Sequence, residues 1–219
     1  MSDLRIETLK MPGAEVGPEN PFPALGGPGD VHATLEVSPD IPAEDQKHVG
    51  WGQPPGCLPY RVQDGYRRKK RSRRFRVAVL ENEALRATFL LELGGRLHSL
   101  VHKATGRELL EANPVFQPAN LAIRNAWFSG GVEWNIGMIG HCPFTCSPLF
   151  AARVDGPGGT PVLRLYEWER IRRVPFQIDA YLPDGSPVLF VRVRITNPNR
   201  VEVPMYWWSN TAVPETPEV

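Results

Sequence analysis

The residues best suited to chemistry lie close together in one glycine-rich segment, residues 127–146. A carboxylate, a flat aromatic ring, an amide and an imidazole occur there within nine positions: Glu133, Trp134, Asn135 and His141. Side chains of these types bind hydroxyl groups, transfer protons and stack on the apolar face of a sugar ring. The segment therefore predicts a polar binding site. The alternative is a glycine-rich turn between strands that buries one tryptophan.

Two other groups of residues resemble metal ligands. His98 and His102 lie four positions apart on a predicted strand, where both can share a face, but a third ligand is missing. His141, Cys142 and Cys146 have the spacing of no standard zinc site, so buried thiols are the better interpretation. The sequence contains no phosphate-binding loop, dinucleotide fingerprint or G-x-S-x-G motif. We therefore expect neither a metal site nor a cofactor.

The composition favours a β protein with many turns. Proline accounts for 23 of the 219 residues, about twice its usual share of ~5%, and it interrupts helices and central strands. The formal charge of +1 indicates no strongly acidic or basic partner. Three cysteines without framework spacing argue against a disulfide scaffold. Because the sequence has neither a signal-like start nor an apolar run of about 18 residues, we expect a cytoplasmic protein without a membrane span.

Residues 1–57 differ from the rest of the chain and predict an irregular arm. They hold nine of the 23 prolines and eight glycines. Within them, only Val31–Val37 alternates well enough for a strand. We expect the arm to lie across the body of the protein through Trp51, Leu58 and Tyr60.

The segment Arg67–Arg76 contains eight basic residues in ten positions. One interpretation is a patch that binds nucleic acid or another anion. The other is a solvated loop that leads into a strand. We favour the loop because a strand follows directly and the rest of the chain offsets the charge. In addition, Phe75 is the single aromatic residue of the segment, fewer than single-strand binding would suggest. A nucleic-acid partner is therefore not expected.

Alternation of apolar and polar residues predicts antiparallel strands from Phe75 onward. Three successive strands with short turns reach His102 and form a meander. A further strand lies within Pro161–Arg173, and a hairpin follows within Phe176–Thr196. This pattern is typical of an all-β domain.

Four aromatic residues are predicted to lie on defined strand faces. Tyr166 and Trp168 lie opposite the leucines of their own strand. Trp207 and Trp208 are neighbours, so they point to opposite faces of a later strand. One of these two packs in the core while the other lines a cleft, or both belong to the core.

Three segments resemble the aldose 1-epimerases (galactose mutarotases) and their relatives. Leu93–Leu110, with the sequence L-G-G-R-L-H-S-L-V-H-K-A-T-G-R-E-L-L, is similar to their early signature. The segment S-G-G-V-E-W-N-I-G-M-I-G-H is similar to the glycine-rich stretch that leads into the sugar site, and Y-W-W-S-N-T-A-V-P is similar to a later strand that borders it. The resemblance covers residues 58–219. It is strongest to an uncharacterised bacterial branch whose domains often precede tetratricopeptide repeats.

The resemblance implies an antiparallel β-supersandwich over residues 58–219, with a sugar cleft on a concave face. Mutarotases pair a histidine acid with a glutamate base, because ring opening protonates the ring oxygen and deprotonates the anomeric hydroxyl. His141 is the candidate acid and Glu133 the second catalytic candidate, although the family's own glutamate lies further downstream. The candidate substrate-binding residues are Arg96, Trp134, Asn135, Trp207, Trp208 and Asn210.

We therefore predict an all-β, galactose mutarotase-like supersandwich, incomplete at its C-terminus, that binds a carbohydrate. It is either a sugar-active enzyme, an epimerase or a glycoside-processing relative, or a non-catalytic sugar-binding or interaction module of a larger repeat protein. In that larger protein a downstream repeat region is the expected partner. Because the resemblance continues past Val219, we expect low stability and no anomerisation of glucose or galactose from these residues alone. Glu133, Trp134 and His141 are expected to line one concave surface.

Overall fold

Antiparallel strands with alternating apolar residues build almost the whole fold. The computed structural model describes residues 1–22, 36–52, 54, 56–138 and 140–216. The strands in chain order are β1 (Asp3–Gly13), β2 (Arg71–Glu81), β3 (Leu85–Leu90), β4 (Arg96–His102), β5 (Arg107–Glu108), β6 (Ala119–Ala122), β7 (Asn125–Trp127), β8 (Val132–Ile136), β9 (Phe150–Asp155), β10 (Pro161–Glu169), β11 (Val174–Tyr181), β12 (Phe190–Ile195) and β13 (Trp207–Thr211). The helical pieces are α1 (Ala43–Gln46) and a 3-10 turn (Pro157–Gly159).

These strands form three sheets, which confirms the all-β prediction. The largest is seven-stranded, with the order β1-β2-β3-β4-β8-β13 and the short β5 paired to β4. A four-stranded sheet has the order β12-β11-β10-β9, and β6 pairs with β7 in a small hairpin. The predicted meander is confirmed as β2, β3 and β4, which pair antiparallel in sequence order. In the described part of the chain, no helix is long and apolar enough to cross a bilayer.

The seven-stranded sheet is apolar on both faces because both faces are covered. One face packs against the four-stranded sheet, and residues such as Phe89 and Leu165 are fully buried between the two. The opposite face is covered by the β6–β7 hairpin and neighbouring loops, around Phe75, Phe116 and Phe128. The ring of Phe116 meets those of Phe75 and Phe128 edge to face, at centroid distances of 5.7 and 5.0 Å. The central sheet thus separates two cores.

The N-terminal arm contributes an edge strand where the sequence pattern predicted none. β1 pairs antiparallel with β2, with Asp3 opposite Glu81 and Gly13 opposite Arg71. Of the predicted strand Val31–Val37, residues 31–35 lie outside the described residues. Short-range alternation missed β1 because its exposed and buried residues alternate with few strongly apolar side chains.

Two further expectations about this part of the chain need correction. The second half of the basic segment, Arg71–Arg76, is the start of β2 and not a solvated loop. It forms a strand because β1 supplies a complete hydrogen-bond ladder along it. Of the three expected contacts of the arm, Tyr60 is buried, whereas Trp51 and Leu58 are exposed.

Candidate functional site

Strands β8 and β13 place four polar or aromatic side chains on one face of the seven-stranded sheet. In their antiparallel pairing, Trp208 lies opposite Asn135 and Asn210 lies opposite Glu133. Directly opposite residues of an antiparallel pair project to the same side. This side faces away from the four-stranded sheet, because the alternate residues of β8 belong to the core between the sheets.

Two glycines shape the backbone around this face. Gly131 has a φ of +65°, and a Cβ there would lie 2.2 Å from the carbonyl oxygen of Leu97, so a side chain would push β8 away from β4. Gly140 has a φ of +104° and precedes His141, whose backbone forms a parallel bridge with Ala122 of β6. The turn at Gly140 therefore returns the chain to the β6–β7 hairpin and brings the imidazole beside β8.

Glu133 is the centre of the cluster. Its Oε2 atom accepts a hydrogen bond from Trp127 Nε1 at 3.0 Å and lies 3.0 Å from His141 Nδ1. A carboxylate only accepts hydrogen bonds, so Nδ1 carries the proton and Nε2 is left to exchange one. The Glu133 side chain is 2% exposed and that of His141 is 14% exposed. A ligand therefore reaches the imidazole and not the carboxylate.

Two indole rings flank the imidazole. The ring centroid of His141 lies 5.1 Å from that of Trp127 and 5.4 Å from that of Trp208, with interplanar angles of 54° and 57°. Trp208 is half-buried, and its Nε1 atom has no hydrogen-bond partner among the described residues. The imidazole thus lies between two indole rings. One of them, that of Trp208, has an N–H donor without a partner among the described residues.

Arg96 supplies a buried positive charge beneath the cluster. Its Nη1 atom donates to the carbonyl oxygen of Gly130 at 2.6 Å, and its Nη2 atom lies 3.9 Å from Glu133 Oε2. The guanidinium carbon stands 4.1 Å from the ring centroid of Phe128. Burial lowers the pKa of the Arg96 guanidinium, and the carboxylate of Glu133 opposes this effect. Arg96 is therefore a counter-charge for Glu133 and is only 3% exposed.

Asn135 holds the loop that carries the imidazole. Its Oδ1 atom accepts a hydrogen bond from the backbone N–H of Cys142 at 2.7 Å, and the residue is fully buried. Within the described chain, Asn135 Nδ2 and Glu133 Oε1 have no hydrogen-bond partner. Buried polar atoms are usually paired, but these two belong to side chains that are 0% and 2% exposed, so a ligand beside the imidazole does not reach them.

The two remaining tryptophans of the prediction lie on the opposite face. Trp134 belongs to the core between the sheets and donates from Nε1 to the carbonyl oxygen of Gly95 at 3.0 Å. Trp207 is opposite Ile136 and packs against the same core. The expectation that Trp134 lines one surface with Glu133 and His141 is therefore wrong, because adjacent strand residues point to opposite faces.

Trp127 takes the position that the sequence suggested for Trp134. It was not a candidate because it lies at the end of β7, outside the strand that carries Glu133. The signal that points to it is its place in the same glycine-rich segment, six positions before Glu133. The β6–β7 hairpin, and not strand alternation, brings the two side chains together.

The groups that resemble metal ligands have separate surroundings. Burial lowers the pKa of the His98 imidazole, whereas His102 Nδ1 lies 2.8 Å from Thr105 Oγ1. Burial raises the pKa of the Cys142 and Cys146 thiols to about 12, which keeps both protonated near neutral pH. Across the described residues, no three His, Cys, Asp or Glu side chains are arranged to hold a metal ion.

Comparison with protein families places this cluster inside a known domain. Residues 53–219 match the family described as a domain of unknown function (DUF5107). The chain belongs to this family. All residues of the cluster, from Arg96 to Asn210, lie within the DUF5107 match.

One solved structure is similar to this DUF5107 chain over almost its whole length. It is a TPR-domain containing protein from Parabacteroides distasonis ATCC 8503, with a TM-score of 0.73 and 24% sequence identity. The similarity covers 99% of this chain and 33% of that one. At this identity the likeness shows a shared fold. The chain spans about a third of the length of that protein.

Proposed function

We propose that this DUF5107 domain is a member of the galactose mutarotase-like superfamily and binds a carbohydrate beside His141. The observation that supports the proposal is the His141–Glu133 pair between the indole rings of Trp127 and Trp208. Indole rings offer a flat apolar surface to the C–H face of a pyranose. The imidazole Nε2 and the half-buried Asn210 then exchange hydrogen bonds with the sugar hydroxyls.

In an aldose epimerase-like reaction, His141 Nε2 accepts the proton of the anomeric hydroxyl and then donates it to the ring oxygen, so that the ring C–O bond breaks as the carbonyl forms. Opening a pyranose requires a proton on the ring oxygen and removal of one from the anomeric hydroxyl. Glu133 is a positioning residue, because its buried carboxylate holds Nδ1 and does not reach the ligand. Its negative charge also stabilises the imidazolium that forms when Nε2 accepts a proton.

The second candidate function is a non-catalytic sugar-binding module of a larger repeat protein. Two observations favour it. The carboxylate of Glu133 is too buried to act directly as a second acid or base. The similar solved structure is a TPR-domain containing protein about three times as long as this chain. In this case a repeat region of the same protein is the partner.

Monosaccharide binding tests both candidates. We expect ligand-observed NMR to detect binding of an aldose to the wild-type chain, and Trp208→Ala to weaken it about tenfold through loss of stacking. Trp51→Ala, which removes another exposed tryptophan, is the matched control and leaves the affinity unchanged.

Exchange spectroscopy then measures anomerisation of the bound sugar. Exchange that His141→Ala abolishes supports the enzyme, and binding without exchange supports the module. If no aldose binds to the wild-type chain, both candidates are wrong.

A further inference from the structure

A second surface with the composition of a ligand site lies on the outer face of the four-stranded sheet. A cavity of about 510 Å³ opens there. The exposed aromatic residues of its lining are Phe150, Tyr166 and Trp168, which are 59%, 41% and 53% exposed. Large apolar side chains that are exposed together, and not singly, indicate an interaction site.

Ring stacking joins the exposed aromatic residues of this cavity across two strands. Phe150 of β9 lies opposite Tyr166 of β10, and the two rings stack at a centroid distance of 5.5 Å and an angle of 23°. Trp168 is two residues further along β10, on the same face. The three rings therefore form one aromatic strip that spans β9 and β10.

Polar groups in fixed orientations border the aromatic strip. Arg164 donates to the Asp179 carboxylate from both Nε and Nη2, each at 2.7 Å. Gln177 Nε2 donates to Asp179 Oδ2 at 3.0 Å. Arg194 lies opposite Gln177 in β12. Within the described chain, Arg194 takes part in no ion pair. Arg192, two positions before Arg194 on the same face of β12, is likewise in no ion pair among the described residues, so this edge of the strip carries uncompensated positive charge.

The groove continues toward the basic start of β2. A second cavity, of about 590 Å³, shares Phe150 and Glu167 with the first and extends to Arg76. Lys10 of β1 lies opposite Arg74 of β2, on the same face as Arg76. Among the described residues, none of these three cations forms an ion pair. The aromatic strip is therefore continuous with a row of three unpaired cations, Lys10, Arg74 and Arg76.

We propose that this groove binds an acidic oligosaccharide, at a site separate from the cluster around His141. Pyranose rings stack on Trp168 and Tyr166, and carboxylates of the sugar chain pair with Arg194 and Arg76. The exposed aromatic strip and the unpaired arginines match the apolar ring faces and the negative charges of such a chain.

Single-stranded nucleic acid also combines flat rings with negative charge, but one residue disfavours it. Glu167 lies where the two cavities meet, with its carboxylate 3.7 Å from the Arg170 guanidinium. The phosphodiester backbone of DNA has no free hydroxyl for this carboxylate, whereas each residue of an acidic oligosaccharide carries uncharged hydroxyls beside its charge. A sugar hydroxyl donates a hydrogen bond to the carboxylate.

Isothermal titration with a short oligogalacturonate tests the proposal on the wild-type chain. We expect Trp168→Ala to weaken binding about tenfold through loss of stacking. The double variant Arg76→Gln, Arg194→Gln is expected to weaken it and to flatten its salt dependence, because surface ion pairing is screened by salt. Circular dichroism confirms that each variant is folded before titration.

Matched controls separate this groove from the other site. Trp51→Ala removes a tryptophan with a similar exposed fraction, 55%, and His141→Ala disables the other site. Both are expected to bind the oligogalacturonate as the wild type does. If no aldose binds beside His141, the oligogalacturonate result for this groove is therefore unaffected. The proposal is overturned if the oligogalacturonate does not bind, if folded Trp168→Ala binds it equally, or if a neutral cello-oligosaccharide or oligo(dT) binds more tightly.

Discussion

Two buried glutamates of this protein have opposite surroundings. Glu169, at the end of β10, is fully buried, and its Oε1 accepts hydrogen bonds from Tyr60 Oη at 3.0 Å and from the Ile171 N–H at 2.9 Å. Its Oε2 accepts one from the Arg172 N–H at 2.5 Å. Glu133 is bonded through Oε2 to two side chains, and its Oε1 has no partner in the described part of the chain.

The difference shows what each carboxylate does. Glu169 closes the turn between β10 and β11 with backbone donors, and Arg172 extends this contact by donating from Nε to the carbonyl oxygen of Gly137 at 2.8 Å. A carboxylate that satisfies backbone groups stabilises the fold. Glu133 instead orients an imidazole that solvent reaches, as the proposed site requires.

Replacing Glu169 has the largest expected effect on stability. Glu169→Ala leaves Tyr60 Oη and two backbone N–H groups buried without an acceptor, so we expect the free energy of unfolding to fall by about 3 kcal/mol. Urea denaturation measures the change. The exposed Glu202→Ala is the control and is expected to stay within about 0.5 kcal/mol of the wild type. Equal losses in the two variants would contradict the structural role.

Replacing Glu133 is expected to change binding more than stability. Glu133→Gln keeps the shape and one acceptor but removes the charge that orients His141 and faces Arg96. We expect an affinity for aldose about tenfold lower, with a fall of about 1 kcal/mol in the free energy of unfolding. Ligand titration and urea denaturation of the same sample give both values. Unchanged affinity together with a loss as large as that of Glu169→Ala would place Glu133 among the structural carboxylates.

Tyr60 makes the Glu169 cluster sensitive to alkaline pH. Burial raises the pKa of the Tyr60 hydroxyl, and the neighbouring carboxylate of Glu169 adds to this. The unfolded chain releases this proton near pH ~10, whereas the folded chain retains it. The free energy of unfolding therefore falls above that pH, by up to about 1.4 kcal/mol per pH unit.

Tyr60→Phe removes this contribution, so its unfolding free energy is expected to decline less steeply above pH ~10. Denaturation at a series of alkaline pH values measures the slope. Tyr166→Phe, a change at an exposed tyrosine, should keep the wild-type slope. Identical slopes for all three chains would refute the assignment.

The smallest expected effect concerns the loop beside Glu133. Asn135→Ala removes the acceptor of the Cys142 N–H, at a cost of about 1 kcal/mol, and frees the loop to open locally. Cys142 should then react faster with a thiol reagent near neutral pH. Cys146, which is also buried but not bonded to Asn135, is the internal control. Mass spectrometry resolves the two positions, and equal rates at both would mean that Asn135 does not hold the loop.

Local alternation predicted the strands of the meander and three strands of the four-stranded sheet, β10, β11 and β12, but not β9. It also placed Tyr166 and Trp168 opposite the leucines of β10, and the structure confirms this, with Leu163 and Leu165 buried and both aromatic residues exposed. The reason is that side-chain direction in a strand depends only on position along the chain. The contact between Glu133 and His141 lies within the same glycine-rich segment, so the sequence already suggested that these residues belong together.

Which face of the central sheet carries the site was decided only by the tertiary structure. Both of its faces are covered by apolar residues, so alternation along β8 could not show whether Glu133 or Trp134 points to the core. The pairing of β13 with β8 selected Trp208 over Trp207, and the β6–β7 hairpin supplied Trp127. These contacts join strands that are distant in sequence or separated by turns. Their pairing depends on the packing of the whole sheet and not on any local period.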